Sequence, residues 1–374
     1  MSEKDTTDLG GEKRGTRTGF TTGACAAAAA KAAARCLVRN MILKEIETTL
    51  PNRQKVTFQL RRCGREGDAA ITSIIKDAGD DPDCTNGAEI TTTVSLRKET
   101  GVELVNGPGV GIVTKPGLGL PLGVPSITPV PRRNITEMVL GELEFPGCDF
   151  KGARVVISVP GGEEMAKKTT NAKLGIIGGI SILGTSGIVR PYSTASWMAS
   201  VVQEVDVAHA QEIRELVMTT GGKSEQFAMQ RFPHLPENSF IQVGDFIGVG
   251  LKSAARKEIP LVHIVGMMGK LSKMADGKMQ THVAGSQVNT NLLARLAKEA
   301  GANDSLCEKI SEANTARHAL ELAASEKITN LAVLVCREVS KVAENHVQGK
   351  VKVQTHLFDF EGQLLAEYPK GQET

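Results

Sequence analysis

Aromatic side chains are scarce in this chain: one Trp, two Tyr and ten Phe make up 3% of 374 residues. Proteins that hold single-stranded nucleic acid stack bases on exposed rings, and few are on offer here. A surplus of one charge sign is missing too. The net charge is +2, so no global field draws the chain to nucleic acid or a membrane, and a polyanionic ligand has to be met by a local cluster of Arg and Lys. Nowhere do roughly 18 apolar residues run together. The segment 2–17 is polar and charged, without an apolar signal core. Paired cysteines are lacking as well. The seven cysteines are odd in number and scattered, with no Cys-x-x-Cys and no His at zinc-site spacing. The expectation is a reduced, cytoplasmic chain that neither spans a membrane nor carries a metal site of its own.

What is present describes a globular α/β protein. The length exceeds the size at which single cores stop growing, which favours two domains. Thr21 and Thr22 precede an alanine run at 24–38, where hydroxyl caps and the best helix former specify a slim helix. Segments rich in β-branched residues at 55–61, 70–76, 90–96 and 111–114 read as strands of a mixed or antiparallel sheet. The stretch 107–131 holds too much Gly and Pro for a helix and is too apolar for a linker, so it reads as an ordered loop beside a pocket. A short helix from Arg132 or Asn134 to Leu140, a strand at 154–159 and a helix from about Glu163 follow. From about Ser193 helix and strand alternate: helix 194–211, strand 215–218, helix 224–231, strand 240–243, helix 245–257, strand 261–265. That alternation is the mark of parallel β-α-β units. Helices then dominate at 288–300, 306–313, 316–323 and 333–347. A terminal hairpin, 352–358 and 364–366, is expected to return to the first sheet. The domains expected are an α+β domain at 17–190, completed by 350–368, and a Rossmann-like parallel α/β domain at 191–349, with flexible tails at 1–16 and 369–374.

In parallel sheets ligands bind at the carboxyl ends of the strands. Three loops fall there: Thr219, Thr220, Gly221 and Gly222; Gly244 and Asp245; and Gly266 to Lys270. Glycines after the first strand, with an acid about 20 residues on to take ribose hydroxyls, suggest a nucleoside without naming it. Gly221 and Gly222 as a plain turn, with Asp245 as a helix cap, is an equal alternative. No Gly-x-Gly-x-x-Gly occurs, and Val217 stands where a phosphate-binding loop needs Gly, so standard NAD binding and ATP hydrolysis lose ground. Thr21, Thr22 and Gly23 open a helix whose free N–H groups favour an anion. Cys25 reads as a small buried thiol, because no His adjoins it in sequence to act as its base. The acids Asp77, Asp80, Asp81 and Asp83 lack EF-hand spacing and read as a turn of capping aspartates. Lys115, Arg132, Arg133, Arg154, Lys167, Lys168, Arg190 and Lys270 lie beside glycine-rich loops, and several converging on one pocket would suit a polycarboxylate.

Several stretches together resemble the cobalt-precorrin-5B C1-methyltransferase family. They are Arg17-Thr18-Gly19-Phe20-Thr21-Thr22-Gly23 with the alanine helix; Lys76-Asp77-Ala78-Gly79-Asp80-Asp81-Pro82-Asp83; Gly111-Ile112-Val113-Thr114-Lys115-Pro116-Gly117; and Pro129-Val130-Pro131-Arg132-Arg133. Later come Val159-Pro160-Gly161-Gly162-Glu163-Glu164, the run 174–190, Thr219-Thr220-Gly221-Gly222, Gly269-Lys270-Leu271 and Thr281-His282. Phe20 and Gly161 are minor departures from the family pattern. The resemblance implies S-adenosylmethionine as methyl donor, a carboxylated tetrapyrrole as acceptor, and cobalt that arrives only within that substrate. It also implies an α+β part joined to a Rossmann-like part.

On this reading Thr219, Thr220, Gly221, Gly222, Asp245 and Gly266 are the cofactor-binding candidates. Thr21, Thr22, Lys115, Arg132, Arg133, Arg190 and Lys270 are those for substrate. Asp77, Asp81, Glu163 and His282 are candidates for steering protons at the macrocycle. Partners left open are neighbouring pathway enzymes and a second copy in a homodimer, with none expected from nucleic acid or membrane. A nucleotide-dependent oxidoreductase acting on a polycarboxylate and a non-catalytic tetrapyrrole carrier are the rival readings.

Overall fold

A computed structural model describes residues 15–282 and 287–370; most of the expected tails at 1–16 and 369–374 lies outside them. The chain folds as two compact units, residues 15–114 with 120–193, and residues 115–119 with those from Thr194 onward.

In the first unit, β1 (Gly19–Phe20) leads into α1 (Thr22–Arg39), followed by β2 (Glu45–Thr49), β3 (Lys55–Gln59), β4 (Arg62–Glu66), β5 (Ala69–Ile75), β6 (Glu89–Arg97) and β7 (Gly101–Asn106). After β8 (Gly109–Val110) and β9 (Ile112–Val113) come α2 (Pro129–Leu143), β10 (Gly152–Ser158), α3 (Gly162–Ala166), β11 (Ile176–Ile177), β12 (Gly179–Ile180) and β13 (Ile188–Val189). The main sheet runs β4-β5-β6-β10-β7 and is mixed, since β10 is antiparallel to β6 but parallel to β7. Helix α1 packs on this sheet and against α2. Ala26 to Ala30 and Ala32 to Ala34 are all fully buried. A helix buried on every side needs side chains small enough for neighbouring backbones to close in, and alanine supplies that at no cost in helix propensity. Thr21 caps it through a 3.1 Å bond from Ala24 N–H, and Asn40, at φ 50°, ends it in the left-handed conformation.

Helix α2 starts earlier than the sequence suggested. Pro129 and Pro131 sit in its first turn, where the missing N–H has no intrahelical partner to lose. The glycine-rich loop after β7, expected to be ordered, carries short paired strands: β8 pairs with β12, and β9 with β11.

The second unit opens with α4 (Thr194–Ala210), β14 (Glu215–Thr219), α5 (Gly222–Arg231), β15 (Phe240–Gln242), α6 (Ile247–Arg256), β16 (Leu261–Met267) and α7 (Met268–Ala275). It closes with α8 (Thr290–Glu299), α9 (Asp304–Ser311), α10 (Ala316–Ser325), α11 (Asn330–His346), β17 (Lys352–Phe358) and β18 (Leu364–Tyr368). Its sheet order is β15-β14-β16-β17-β18, parallel except for β18. Leu216, Met218, Val262 and Ile264 face the large helical core, while Val217, Val265 and Phe358 face Ala228 of α5 and Phe232 just after it. The sheet is therefore covered on both sides, as parallel sheets must be.

The C-terminal hairpin corrects the sequence reading, for it belongs to this second sheet and not to the first. β17 runs parallel to β16 over seven residue pairs, and its last four residues are all buried. Such two-sided burial suits an interior parallel strand rather than an edge.

Candidate functional site

Among the parallel strands of the second unit, β14 is flanked by β15 on one side and β16 on the other, so the order reverses at β14 and β16. At such a switch point the connections leave in opposite directions and open a crevice at the carboxyl ends. Added β-carbons at Gly221 and Gly269 would meet nothing within 4 Å, so the backbone there is open to an incoming group. Thr219 Oγ1, at the end of β14, is buried without a hydrogen-bond partner among the described residues.

The strand ends are tied to one another by charge. Lys270 Nζ donates to the Thr220 carbonyl at 2.6 Å and pairs with Asp245 Oδ1 at 3.0 Å. Thr281 Oγ1 donates to the same Asp245 oxygen at 2.9 Å, and Thr281 N–H to the Asp245 carbonyl at 3.0 Å. Buried Lys273 then donates to the Thr281 carbonyl at 3.1 Å. Burial works to raise the Asp245 carboxyl, but the Lys270 and Thr281 hydrogen bonds and the nearby His282 outweigh it and hold the group below its ordinary value. Asp245 is thus a fixed carboxylate whose Oδ2 has no described protein partner. Beside it Gly244, at φ 58°, lies against the indole of Trp197, which is 48% exposed.

Two expectations change on this side of the chain. Gly266 lies within β16, and an added β-carbon there would stand 3.0 Å from Thr220 Cγ2, so its small size accommodates that threonine. Lys270 opens no separate loop, because α7 begins directly after β16, and its ammonium is engaged with Asp245 and Thr220. Lys115 groups with this unit through a 2.8 Å bond to Asn238.

The remaining candidates lie in the first unit. Three of the N–H groups that would serve an anion at the start of α1 are already used: Thr21 N–H goes to Gly187, Gly23 N–H to Leu183, and Ala24 N–H to Thr21 Oγ1. Thr22 Oγ1 accepts from Leu183 N–H at 2.9 Å. Cys25 beside them is buried, which pushes its thiol up to about 12. The aspartate turn is a clasp. Asp77 takes two bonds from the Arg17 guanidinium, at 2.5 and 3.0 Å, and Arg17 with Gly79 N–H holds it below the usual carboxylate range. Asp80 accepts Arg17 N–H, and Asp81 accepts Tyr192 N–H at 2.9 Å. Asp83 pairs at 2.6 Å with Lys76, whose side chain is 1% exposed. Arg133 lies 3.9 Å from Glu137, and Arg190 is exposed.

Glu163 stands apart from that clasp. It lines a depression of about 320 Å³ with Asn106, Pro108, Ile112, Ile177 and Gly178, and it makes no ion pair among the described residues. Glycines let three backbones meet beneath it. An added β-carbon would fall 1.9 Å from the Val159 carbonyl at Gly109, 2.2 Å from the Gly109 carbonyl at Gly162, and 2.1 Å from the same carbonyl at Gly179.

Trp197, Lys76 and Lys273 were not singled out in the sequence. A lone Trp in an aromatic-poor chain was the available signal for the first; nothing local marks a lysine that will be buried. Among the described residues no group of three or more His, Cys, Asp or Glu could hold a metal ion. Likewise none of the described helices is long and apolar enough to cross a membrane.

Residues 10–191 match the family described as CbiD, and residues 280–369 match the CbiD C-terminal domain. A protein of Leptospira borgpetersenii named cobalt-precorrin-5B C(1)-methyltransferase is 52% identical over 324 residues, covering 87% of each chain. Its namesake from Rubrobacter xylanophilus is 50% identical over 320 residues, 84% of this chain and 81% of that one. A crystal structure of a cobalamin biosynthesis protein (cbiD) from Archaeoglobus fulgidus is 31% identical, with a TM-score of 0.38 over 68% of this chain and 78% of that one. With both domains matched in order and about half of the aligned residues identical over more than four fifths of the chain, the chain belongs to the CbiD family.

Proposed function

We propose that this chain transfers a methyl group from S-adenosylmethionine to C1 of cobalt-precorrin-5B, giving cobalt-precorrin-6A, in the cytoplasm. Relatives identical at about half of the aligned residues carry the corresponding name, and the crevice at the carboxyl ends of β14 and β16 suits the donor. We read the parallel sheet as Rossmann-like on its strand order and its glycine-then-acid spacing. The observation that carries the assignment of the donor site is Asp245, with Oδ1 held by Lys270 and Thr281 and Oδ2 open.

When bound, S-adenosylmethionine supplies a methyl group on a sulfonium, and the nucleophilic ring carbon forms the new C–C bond as the S–CH3 pair returns to sulfur. The residues contribute placement, which can be worth several kcal/mol when reacting atoms are held in line. Asp245 Oδ2 would accept from the ribose hydroxyls, and Gly221 and Gly222 would let the backbone approach. The exposed Trp197 indole beside Gly244 would offer a face to the adenine. Lys270 and Thr281 keep the Asp245 carboxylate ionised and oriented. Glu163 and His282 are the groups we assign to handling protons on the macrocycle. Asp77 and Asp81, already engaged by Arg17 and Tyr192, we assign to holding their loops.

The test is an anaerobic incubation of the purified protein with cobalt-precorrin-5 intermediates, the ring-contraction enzyme and methyl-labelled S-adenosylmethionine, followed by mass spectrometry. Labelled methyl on C1 is the expected result. Bound but unmethylated intermediate, under conditions where a Leptospira relative turns over, would overturn the proposal.

A further inference from the structure

In the loop that joins β14 to α5 the acceptors are engaged and the donors are open. The Thr219 carbonyl takes the N–H groups of Val243 and Gly244, at 3.0 and 3.3 Å. The Thr220 carbonyl takes Lys270, and the Gly221 carbonyl takes Glu225 N–H at 3.0 Å and Ser224 Oγ at 2.7 Å. By contrast the N–H groups of Gly222, Lys223 and Ser224, the first three of α5, donate to no described residue. A helix start leaves these groups without intrahelical partners, and a capping side chain usually takes one of them. Gly221, at the cap position here, has no side chain to do so.

A buried hydroxyl sets this helix start apart. Thr219 is 0% exposed, and its Oγ1 finds no partner among the described residues. Side chains alternate along a strand, so Thr219 shares its face of β14 with Val217, which packs with Ala228 of α5. Its hydroxyl therefore lies on the α5 side of the sheet, at the strand end from which that helix starts. Gln242, paired with Thr219 on β15, is on the same face as Phe240, and its amide nitrogen stands 4.0 Å from where a Gly222 β-carbon would fall. A buried hydroxyl left unpaired costs about 1–3 kcal/mol, and a ligand oxygen at the start of α5 removes that cost.

The positive charge on offer is small. A helix start carries about half a unit. Lys223 adds an exposed ammonium with no ion pair among the described residues, while Glu225, the acid of the same turn, is already engaged. Lys270 contributes nothing, because Asp245 neutralises it. A single carboxylate matches that balance. A diphosphate would bring several negative charges close to the Asp245 carboxylate at the end of the neighbouring strand.

We infer that the start of α5 binds the α-carboxylate at the amino-acid end of the methyl donor, through the N–H groups of Gly222, Lys223 and Ser224 and the Thr219 hydroxyl. The inference rests on the methyltransferase reading for the identity of the ligand and extends it: Asp245 takes the ribose, and α5 takes the carboxylate.

The test removes the carboxylate from the ligand and the donors from the protein. S-adenosylhomocysteine and its decarboxylated analogue, S-adenosylthiopropylamine, are titrated by calorimetry into the wild type, Thr219→Val and Gly222→Pro. The wild type should bind the carboxylate-bearing ligand about tenfold more tightly or better, a difference of about 1.4 kcal/mol. Thr219→Val should shrink that preference by weakening S-adenosylhomocysteine alone, and since the lost hydroxyl had no partner its melting midpoint should not fall. Gly222→Pro removes one N–H at a first helical position, which accepts proline, and should shrink the preference likewise. Equal affinities of the wild type for the two ligands, or a preference kept intact in both variants, would overturn the inference and leave the methyltransferase reading standing. If neither ligand binds the wild type, the donor reading fails and the inference fails with it.

Discussion

Acid should weaken the second unit through two histidines that lie buried between its strands. His263 on β16 and His356 on β17 are each 3% exposed, with His263 Nδ1 3.0 Å from His356 Nε2. His263 Nε2 lies 2.8 Å from Glu215, so it donates to that carboxylate. Its Nδ1 must then accept, which makes His356 Nε2 the donor and leaves His356 Nδ1 with a lone pair towards Glu367 at 3.3 Å. Glu367 is shared with Arg231 at 3.2 Å, and His234 and Phe232 close the surround. Burial lowers both imidazoles, and His356 is pushed down to about 4 from 6.5.

A histidine depressed in the folded state binds its proton more readily when unfolded. Stability is therefore whole above pH 6.5, falls as the pH drops below it, and has lost the full contribution below about pH 4. At about 1.4 kcal/mol per pH unit the gap for His356 makes roughly 3 kcal/mol, a large part of the ~5–15 kcal/mol by which domains are stable. Urea unfolding followed by the fluorescence of Trp197, the single tryptophan, reports this unit directly. His356→Gln keeps an amide N–H for His263 but cannot titrate, so the difference between the two proteins cancels the carboxylates that protonate in the same range. The wild type should lose roughly 3 kcal/mol more than His356→Gln between pH 7 and pH 4. Parallel curves for the two proteins would refute the reasoning.

Three further outcomes are expected. Asp245→Asn removes the charge that Lys270 and Thr281 hold and should weaken S-adenosylhomocysteine binding by ~1.5–3 kcal/mol, about ten- to a hundredfold; quenching of Trp197 measures it, and unchanged affinity would move the nucleoside elsewhere. Gly109→Ala puts a methyl 1.9 Å from the Val159 carbonyl at φ 80°, which should cost about 3 kcal/mol or more from overpacking and backbone strain; calorimetry showing a wild-type midpoint would contradict the close approach of the three segments. Lys76→Met strands Asp83 and should cost roughly 3–5 kcal/mol, whereas Lys76→Met with Asp83→Leu should recover much of it; equal losses in the single and double variants would show that the pair is not what matters.

Much of the fold was legible because local rules and tertiary needs agreed. The alanine run with its threonine cap could only be a helix that others pack closely, and α1 is that helix. Strict alternation after residue 193 announced the parallel strands β14, β15 and β16. The aspartates at 77–83 were readable as a turn, although the partners that complete it, Arg17 and Tyr192, lie 60 and 111 residues away and could not be inferred from spacing. The hairpin at the C-terminus shows the limit. Its strand pattern was visible, but two sheets were available to it, and the choice of β16 depends on which edge was left for a strand buried on both faces.

The sequence by itself determined the family and the alternation of elements, because these are carried by residue identity and order along the chain. Tertiary structure decided which charges are spent and which are open. Lys270, read as one more cation for a carboxylated substrate, is consumed by Asp245 and Thr220, whereas Glu163 has no ion pair among the described residues and faces a depression. A charge acts through distances of a few ångströms, and separations along the chain do not reveal those distances until the backbone has folded.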